Sequence, residues 1–222
     1  MEPEPWDVPF TLFRKRAAFC AFDIETTGLD PRLDRIVEIG AVKFDCRGPM
    51  GRYSVLINPG IPMPEEAGRV NGISDDMLAG KPSLEEVLPD FLRFTGGAVI
   101  TAHNAPFDCG FINEKLAALF DGAKKRRPAG EGEPLLPGLD PAGETGEAGW
   151  APPFPALPNL IADTLILSRR LFPGRRSYKL QELARDMEIP AFNAHRAEDD
   201  ARLCMELFLK CAGAAQGAEN AG

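Results

Sequence analysis

The chain has 222 residues, 44% of them hydrophobic, and a net charge of −8, which suits one domain of moderate size with an ordinary core and short appendages. No apolar run approaches the roughly 20 residues needed to span a bilayer, and the first residues lack the basic start and apolar stretch of a secretion signal, so no membrane partner is expected. Five cysteines, an odd number without a CxxC pair, read as free thiols in a reducing, cytoplasmic setting.

Taken in chain order, residues 1–17 form an N-terminal extension. Residues 18–25 read as a buried strand, and the Gly28 and Pro31 that follow mark a turn. Residues 35–44 alternate (Ile36, Glu38, Gly40, Val42, Phe44) as a second strand, and 52–57 form a third, ended by Asn58, Pro59 and Gly60. Helical patterns follow at 64–70 and 84–94, the latter opened by Ser83 with Glu86 three residues on, a capping-box spacing. A short strand at 98–102 leads into a helix over 106–120, with Pro106 tolerated in its first turn. Residues 121–158 are dense in Gly, Pro, Ala and Glu and read as a flexible insertion, dispensable for chemistry. Order resumes with an apolar run at 160–167, a short helix at 180–186 and an amphipathic helix at 197–211. The small, polar residues 212–222 are expected to be a disordered tail. Strands first in a meander and then interleaved with helices predict an α/β fold, a mixed sheet flanked by helices.

Four acids and one histidine stand out against this background. Asp23 and Glu25 share one face of the first strand, since side chains alternate faces, and they end an otherwise apolar face with Phe19 and Ala21. Asp200 falls on one helical stripe with Cys204, Leu207 and Cys211, whereas Asp199 is directed toward Glu206 and Lys210, on the side predicted to be wet. Asp108 likewise shares a stripe with Ile112, Leu116 and Leu119. A carboxylate on an apolar stripe is costly unless something cationic pairs with it. Clustered carboxylates without cysteine ligands favour hard ions, Mg²⁺ or Mn²⁺. Two such divalent metal ions, roughly 4 Å apart, suit in-line displacement at a phosphodiester. His195, in the loop before the last helix, can lean over the same site and take a proton from an attacking water. His103 and Asn104 precede Asp108 at a strand-to-helix junction. Both are candidate substrate contacts, with helix capping an equal reading for Asn104.

The net negative charge argues against a broad nucleic-acid-binding face. Local basic groups remain at 14–16 and 124–127 and at Arg169, Arg170, Arg175, Arg176 and Lys179. These suit weak, local contacts to a few nucleotides at a strand end.

Three segments carry a resemblance. Asp23-Ile24-Glu25-Thr26-Thr27-Gly28, His103-Asn104-Ala105-Pro106-Phe107-Asp108 and His195-Arg196-Ala197-Glu198-Asp199-Asp200, in this order, resemble the motifs of the DEDDh family of 3′–5′ exonucleases. The resemblance runs from about residue 18 to 211, the exonuclease domain, apart from the insertion. It implies a ribonuclease H-like fold and removal of nucleoside 5′-monophosphates from the 3′ end of a nucleic acid. By carry-over, Asp23, Glu25, Asp108 and Asp200 would hold metal, and His195 would be the general base. Thr26, Thr27, Gly28 and Leu29 would seat the terminal nucleotide with Phe107 nearby, and Asp163 would be structural. The implied partner is a single-stranded or frayed 3′ end of DNA, or alternatively RNA. A polymerase partner is not shown by the sequence. A catalytically silent binding subunit is the reading from another class, and the complete set of acids argues against it. Asn71 departs from the histidine that family members often carry before the equivalent of Gly72-Ile73.

Overall fold

In the computed structural model, the described residues are 6–126, 145, 146, 149, 150, 152, 154–192 and 196–221. A short helix α1 (Val8–Arg14) precedes β1 (Phe19–Thr26), β2 (Ile36–Asp45) and β3 (Gly48–Leu56). Helices α2 (Glu65–Asn71), α3 (Asp75–Leu78) and α4 (Leu84–Thr95) lead to β4 (Val99–Ala102) and α5 (Ala105–Arg126). A two-strand pair, β5 (Thr145–Gly146) and β6 (Gly149–Trp150), comes before β7 (Ile161–Asp163). Helices α6 (Thr164–Leu171), α7 (Leu180–Asp186) and α8 (Ala197–Ala221) complete the fold.

The main sheet has the order β3-β2-β1-β4-β7. The first three strands form an antiparallel meander, with Asp23 opposite Gly40 and Glu25 opposite Glu38. Strands β4 and β7 add in parallel to β1, giving the mixed, ribonuclease H-like sheet expected from the sequence. Alternation along β1 sends Cys20, Phe22 and Ile24 into a core under α4 and α5, and Phe19 and Ala21 into a second core under α8. Asp23 and Glu25 continue that second face beyond its apolar part, where α8 begins.

Both ends of the chain are built into the fold. Helix α1 is built into the core: Phe10 is 1% exposed, and its ring lies 5.5 Å from that of Phe208. Phe13 stands 5.5 Å from Phe19 and 5.3 Å from Phe208, so an aromatic cluster fastens the N-terminal segment to β1 and α8. At the other end α8 runs on through Ala221 instead of giving way to a disordered tail at 212. The small residues there are mostly alanine, the strongest helix former, and Ala215 is buried in the same cluster.

The insertion is also shorter than its composition suggests. Helix α5 continues to Arg126. Before β7 the chain is anchored again: Leu157 joins the core under α5 with Phe154 packed against it, and the Leu157 N–H donates to Asn113 Oδ1 at 2.8 Å. Asn159 donates to the carbonyls of Thr95 and Ala98 at 3.1 and 2.8 Å. The rest of the expected insertion, apart from β5, β6 and Pro152, lies outside the described residues. Among the described residues no helix is long and apolar enough to cross a membrane.

Leu157→Ala is expected to lower unfolding stability by about 2–4 kcal/mol, the usual cost of a buried leucine truncation. Replacing residues 127–151 with a short Gly/Ser linker should change it by less than about 1 kcal/mol, because loop-closure entropy varies slowly with length. Urea unfolding of the two variants checks both, and equal losses would contradict the boundary drawn at Phe154.

Candidate functional site

The site forms at the carboxyl end of β1, the position open α/β sheets reserve for ligands. Carboxylate oxygens of Asp23, Glu25 and Asp200 lie within 4.8 Å of one another. Strand alternation supplies the first two. The third comes from the first turn of α8, where Asp200, Cys204, Leu207 and Cys211 are all buried, as the stripe predicts. Asp108, 3% exposed, stands just behind: its Oδ1 accepts the Ile24 N–H at 3.2 Å, between the two acids of β1. The Asp200 carboxylate accepts a hydrogen bond from the Gln181 amide.

What brings α8 so close to β1 and β2 is legible in two residues of β2. Gly40 has no side chain, and a Cβ there would lie 2.1 Å from the backbone of Ala197 and Glu198; any larger residue would lift the helix off the sheet. Two residues earlier, Glu38 is 1% exposed. Its carboxylate accepts the Ala197 N–H at 3.2 Å and a two-pronged bond from Arg196, with Nη2–Oε1 at 2.8 Å and Nε–Oε2 at 3.1 Å. A buried carboxylate facing an N-terminal backbone N–H and a guanidinium is well compensated. Glu38 therefore pins the start of α8, and with it Asp200.

Asp163 performs a similar service at the second junction. Its carboxylate accepts the N–H groups of Asn104 and Ala105, both at 3.1 Å, and of Leu165 at 2.8 Å, capping α5 and α6 together. Asp163 thus supplies a cap at the start of α5. Asn104 itself holds a left-handed φ of 68° and is exposed. Both ring nitrogens of His103 are engaged, Nδ1 with Thr164 Oγ1 at 3.0 Å and Nε2 with the Tyr178 carbonyl at 2.7 Å. A carbonyl only accepts, so Nε2 carries a proton. Burial holds this histidine below its ordinary pKa. Phe107 is half-buried, its ring 5.1 Å from Phe111.

Residues 26–35 form an internally bonded loop beside the acids. Thr26 Oγ1 donates to the Gly28 carbonyl at 2.6 Å, and Thr27 Oγ1 accepts the Arg35 N–H at 2.9 Å. Asp34 Oδ2 accepts the Asp30 N–H at 2.9 Å and crowds Gly28 so closely that a Cβ there would meet it at 2.4 Å. Leu29 is 82% exposed at the tip. His195 lies outside the described residues.

Asp199 corrects the expectation of a solvated face. Its side chain is 10% exposed and pairs with Arg202 at 2.9 Å, and its Oδ2 accepts the Phe192 N–H at 2.9 Å. The 190–192 segment folds over the helix side that a lone amphipathic pattern assigns to water. Sequence reasoning also passed over Glu38 and Gln181. Glu38 had a signal, a charge within an inward-facing register. Gln181 had none, because only tertiary packing of α7 brings it to Asp200.

The electrostatics follow from this crowding. Burial, then the neighbouring carboxylates of Asp108, Asp200 and Glu25, push Asp23 well above the usual carboxylate range. Burial first, then Asp200 and Glu38, push Glu25 up to about 8. Asp108 is pushed up to about 8, chiefly by burial, against the lowering effect of the Ile24 N–H. Hard oxygen donors this close, reluctant to ionise without a counter-charge, fit divalent cations such as Mg²⁺ or Mn²⁺.

A pH effect follows. Between the ordinary carboxylate range near 4 and the raised values near 8, the folded protein keeps protons that the unfolded chain has lost, so stability falls as pH rises. In chelator, the melting temperature is expected to drop by roughly 3–6 °C between pH 5 and pH 8, equivalent to about 1–2 kcal/mol. Asp23→Asn should flatten that slope, and an unchanged slope in calorimetric melts of this variant would contradict the crowding.

Comparison with known proteins agrees with this geometry. The sequence profile of the RNase_T exonuclease family matches residues 20–129 and 152–208. The chain is 40% identical over 196 residues to the DNA polymerase III subunit epsilon of Treponema pallidum, spanning 87% of this chain and 76% of that protein. It is 38% identical over 192 residues to the PolC-type DNA polymerase III of Caldanaerobacter subterraneus, spanning 86% of this chain but 11% of that protein. Among solved structures, exonuclease X in complex with 5′-overhanging duplex DNA matches with a TM-score of 0.59 at 24% identity, over 88% of this chain and 91% of the other. The zinc-bound E. coli exonuclease I complex with single-stranded DNA matches with a TM-score of 0.64 at 16% identity, over 90% of this chain and 41% of the other; these two establish likeness of fold. The chain belongs to the RNase_T exonuclease family and is an exonuclease of the DNA polymerase III epsilon type.

Proposed function

We propose that this protein removes nucleotides from the 3′ end of single-stranded or frayed DNA as a DEDDh exonuclease. It would use two divalent metal ions, Mg²⁺ or Mn²⁺, release nucleoside 5′-monophosphates, and serve in proofreading beside a replicative polymerase. The observation that carries this reading is the convergence of Asp23, Glu25 and Asp200 within 4.8 Å, with Asp108 buried directly behind them. The similarity to a polymerase III epsilon subunit supports DNA as the substrate and a polymerase as the partner.

Asp23, Glu25 and Asp200 are the residues that would hold metal, and Asp108 completes the set of acids. Bound divalent ions supply the charge that stabilises both the attacking and the leaving oxygen of an in-line displacement at phosphorus. His195 would act as general base, taking the proton of the attacking water. The 26–35 loop would seat the terminal nucleotide. Its internal hydrogen bonds leave the Leu29 side chain exposed to meet a base, and the absence of a side chain at Gly28 keeps the Thr26–Gly28 turn tight against Asp34.

Activity on a 3′-labelled single-stranded DNA oligonucleotide should vanish in EDTA and return with Mg²⁺ or Mn²⁺, with mononucleotides as the product. Asp23→Asn and Asp200→Asn should abolish it. Asp199→Asn should retain at least about a tenth of kcat with a lower melting temperature, since Asp199 holds Arg202 and the 190–192 segment and not the acids. Cleavage that persists in excess chelator would refute metal dependence, and faster turnover of a matched RNA would reassign the substrate.

His195→Ala is expected to lower kcat by about 10²–10⁴, the range for losing a general base, with metal affinity close to the parent's. Calorimetric titration with Mn²⁺ separates the roles: a large loss of Mn²⁺ binding would make His195 a ligand instead.

A further inference from the structure

Two uncharged amides reach the acids from opposite elements. Gln181, at the start of α7, donates from Nε2 to Asp200 Oδ1. Helix α7 is itself packed on α8 through Leu183 and Ala184 against Leu203 and Leu207, all four buried, so the amide is delivered by a rigid pair of helices. Asn71, the last residue of α2, is 4% exposed. Its Oδ1 accepts the Ile73 N–H at 3.1 Å, which fixes which way the amide faces. Its Nδ2 is thereby turned toward the end of β1, where it donates to the Thr26 carbonyl at 3.4 Å, next to Glu25, whose carboxyl burial pushes up and the Asn71 amide dipole pulls down.

We propose that Gln181 and Asn71 are positioning residues that hold the Asp200 and Glu25 carboxylates in their ligating orientation before metal arrives. This rests on the metal-dependent reading above. Carboxylates crowded at this distance repel one another and, left to rotate, would swing apart. An arginine or lysine in place of the amides would hold them, but it would also cancel the negative charge that attracts a cation. A carboxamide donates one hydrogen bond and carries no net charge. A carboxylate has about four lone-pair directions, and a single amide bond occupies only one of them. Hydrogen-bonding groups that orient metal ligands commonly set affinity by 10–100-fold. Neither amide needs to touch substrate or the attacking water, so its contribution belongs to metal affinity and not to the chemical step at saturation. Asn71 then serves Glu25 from within the fold.

The test is calorimetric titration of the full chain with Mn²⁺, comparing the parent with Gln181→Met, Asn71→Ala, the double variant and Arg185→Ala. Methionine keeps the length of the glutamine and its packing on α7 but has no donor. Arg185 lies on the same helix with a side chain 74% exposed and controls for loosening of α7. Gln181→Met and Asn71→Ala should each weaken Mn²⁺ binding by about 10–100-fold, and the double variant by about the product of the two. Arg185→Ala should bind as the parent does. At saturating Mn²⁺ the kcat of Gln181→Met should return to within about threefold of the parent, with the activation midpoint shifted to higher metal by the same factor as the affinity. Parent-like Mn²⁺ affinity in Gln181→Met, or a kcat deficit that metal does not restore, would overturn the positioning role. An unsubstituted protein that fails to bind Mn²⁺ at all would overturn the metal reading together with it.

Discussion

Carboxylates that repel one another, held within 4.8 Å at the end of β1 and the start of α8, set the terms for everything around them. Such a cluster gives nothing to folding. It opposes folding at neutral pH, as the upward displacement of Asp23, Glu25 and Asp108 records. The surrounding protein must therefore bring the acids together with interactions strong enough to overcome that opposition.

The solution is to put the binding energy one layer out. Glu38 and Arg196 form a charge-assisted pair beneath the first turn of α8, and Gly40 lets that turn sit directly on the sheet. Asp163 caps two helices at the β4–α5 and β7–α6 junctions, which sets the approach of Asp108 to Ile24. Large apolar faces do the rest: α8 buries Cys204, Met205, Phe208 and Cys211 in one cluster, and α1 adds the Phe10 and Phe13 rings to it. Glu38 and Arg196 satisfy each other and Asp163 is satisfied by backbone N–H groups, which leaves the acids of the site crowded against one another. Strongly shifted carboxylates of this kind cluster at functional sites.

How much of this can be read from the chain alone depends on the range of the interaction. Strand alternation placed Asp23 and Glu25 on one face, and helical spacing selected Asp200 over its neighbour; both are local rules, and both agree with the structure. The mixed sheet followed from strands first joined by turns and then separated by helices. The same local rule failed for Asp199, because the residues at 190–192 return over α8, and no periodicity within the helix encodes that return. It failed for residues 212–221 as well, where small side chains are instead mostly alanines continuing the helix, with Ala215 in the cluster that holds Phe10. Glu38 was visible as a charge in an inward register, and its partner 158 positions away was not. Gln181 and Asn71 are further still from anything a spacing argument can reach, since each meets its carboxylate only after separate elements have packed. His195 is known here from its place in the third motif.

The central claim is that the acid cluster exists to bind metal, and anomalous diffraction from crystals grown with Mn²⁺ tests it most directly. Anomalous peaks are expected about 2.0–2.2 Å from oxygens of Asp23, Glu25 and Asp200, with a second ion about 3.5–4 Å from the first. Crystals grown with Mn²⁺ at neutral pH that show no anomalous peak beside the three carboxylates would contradict it.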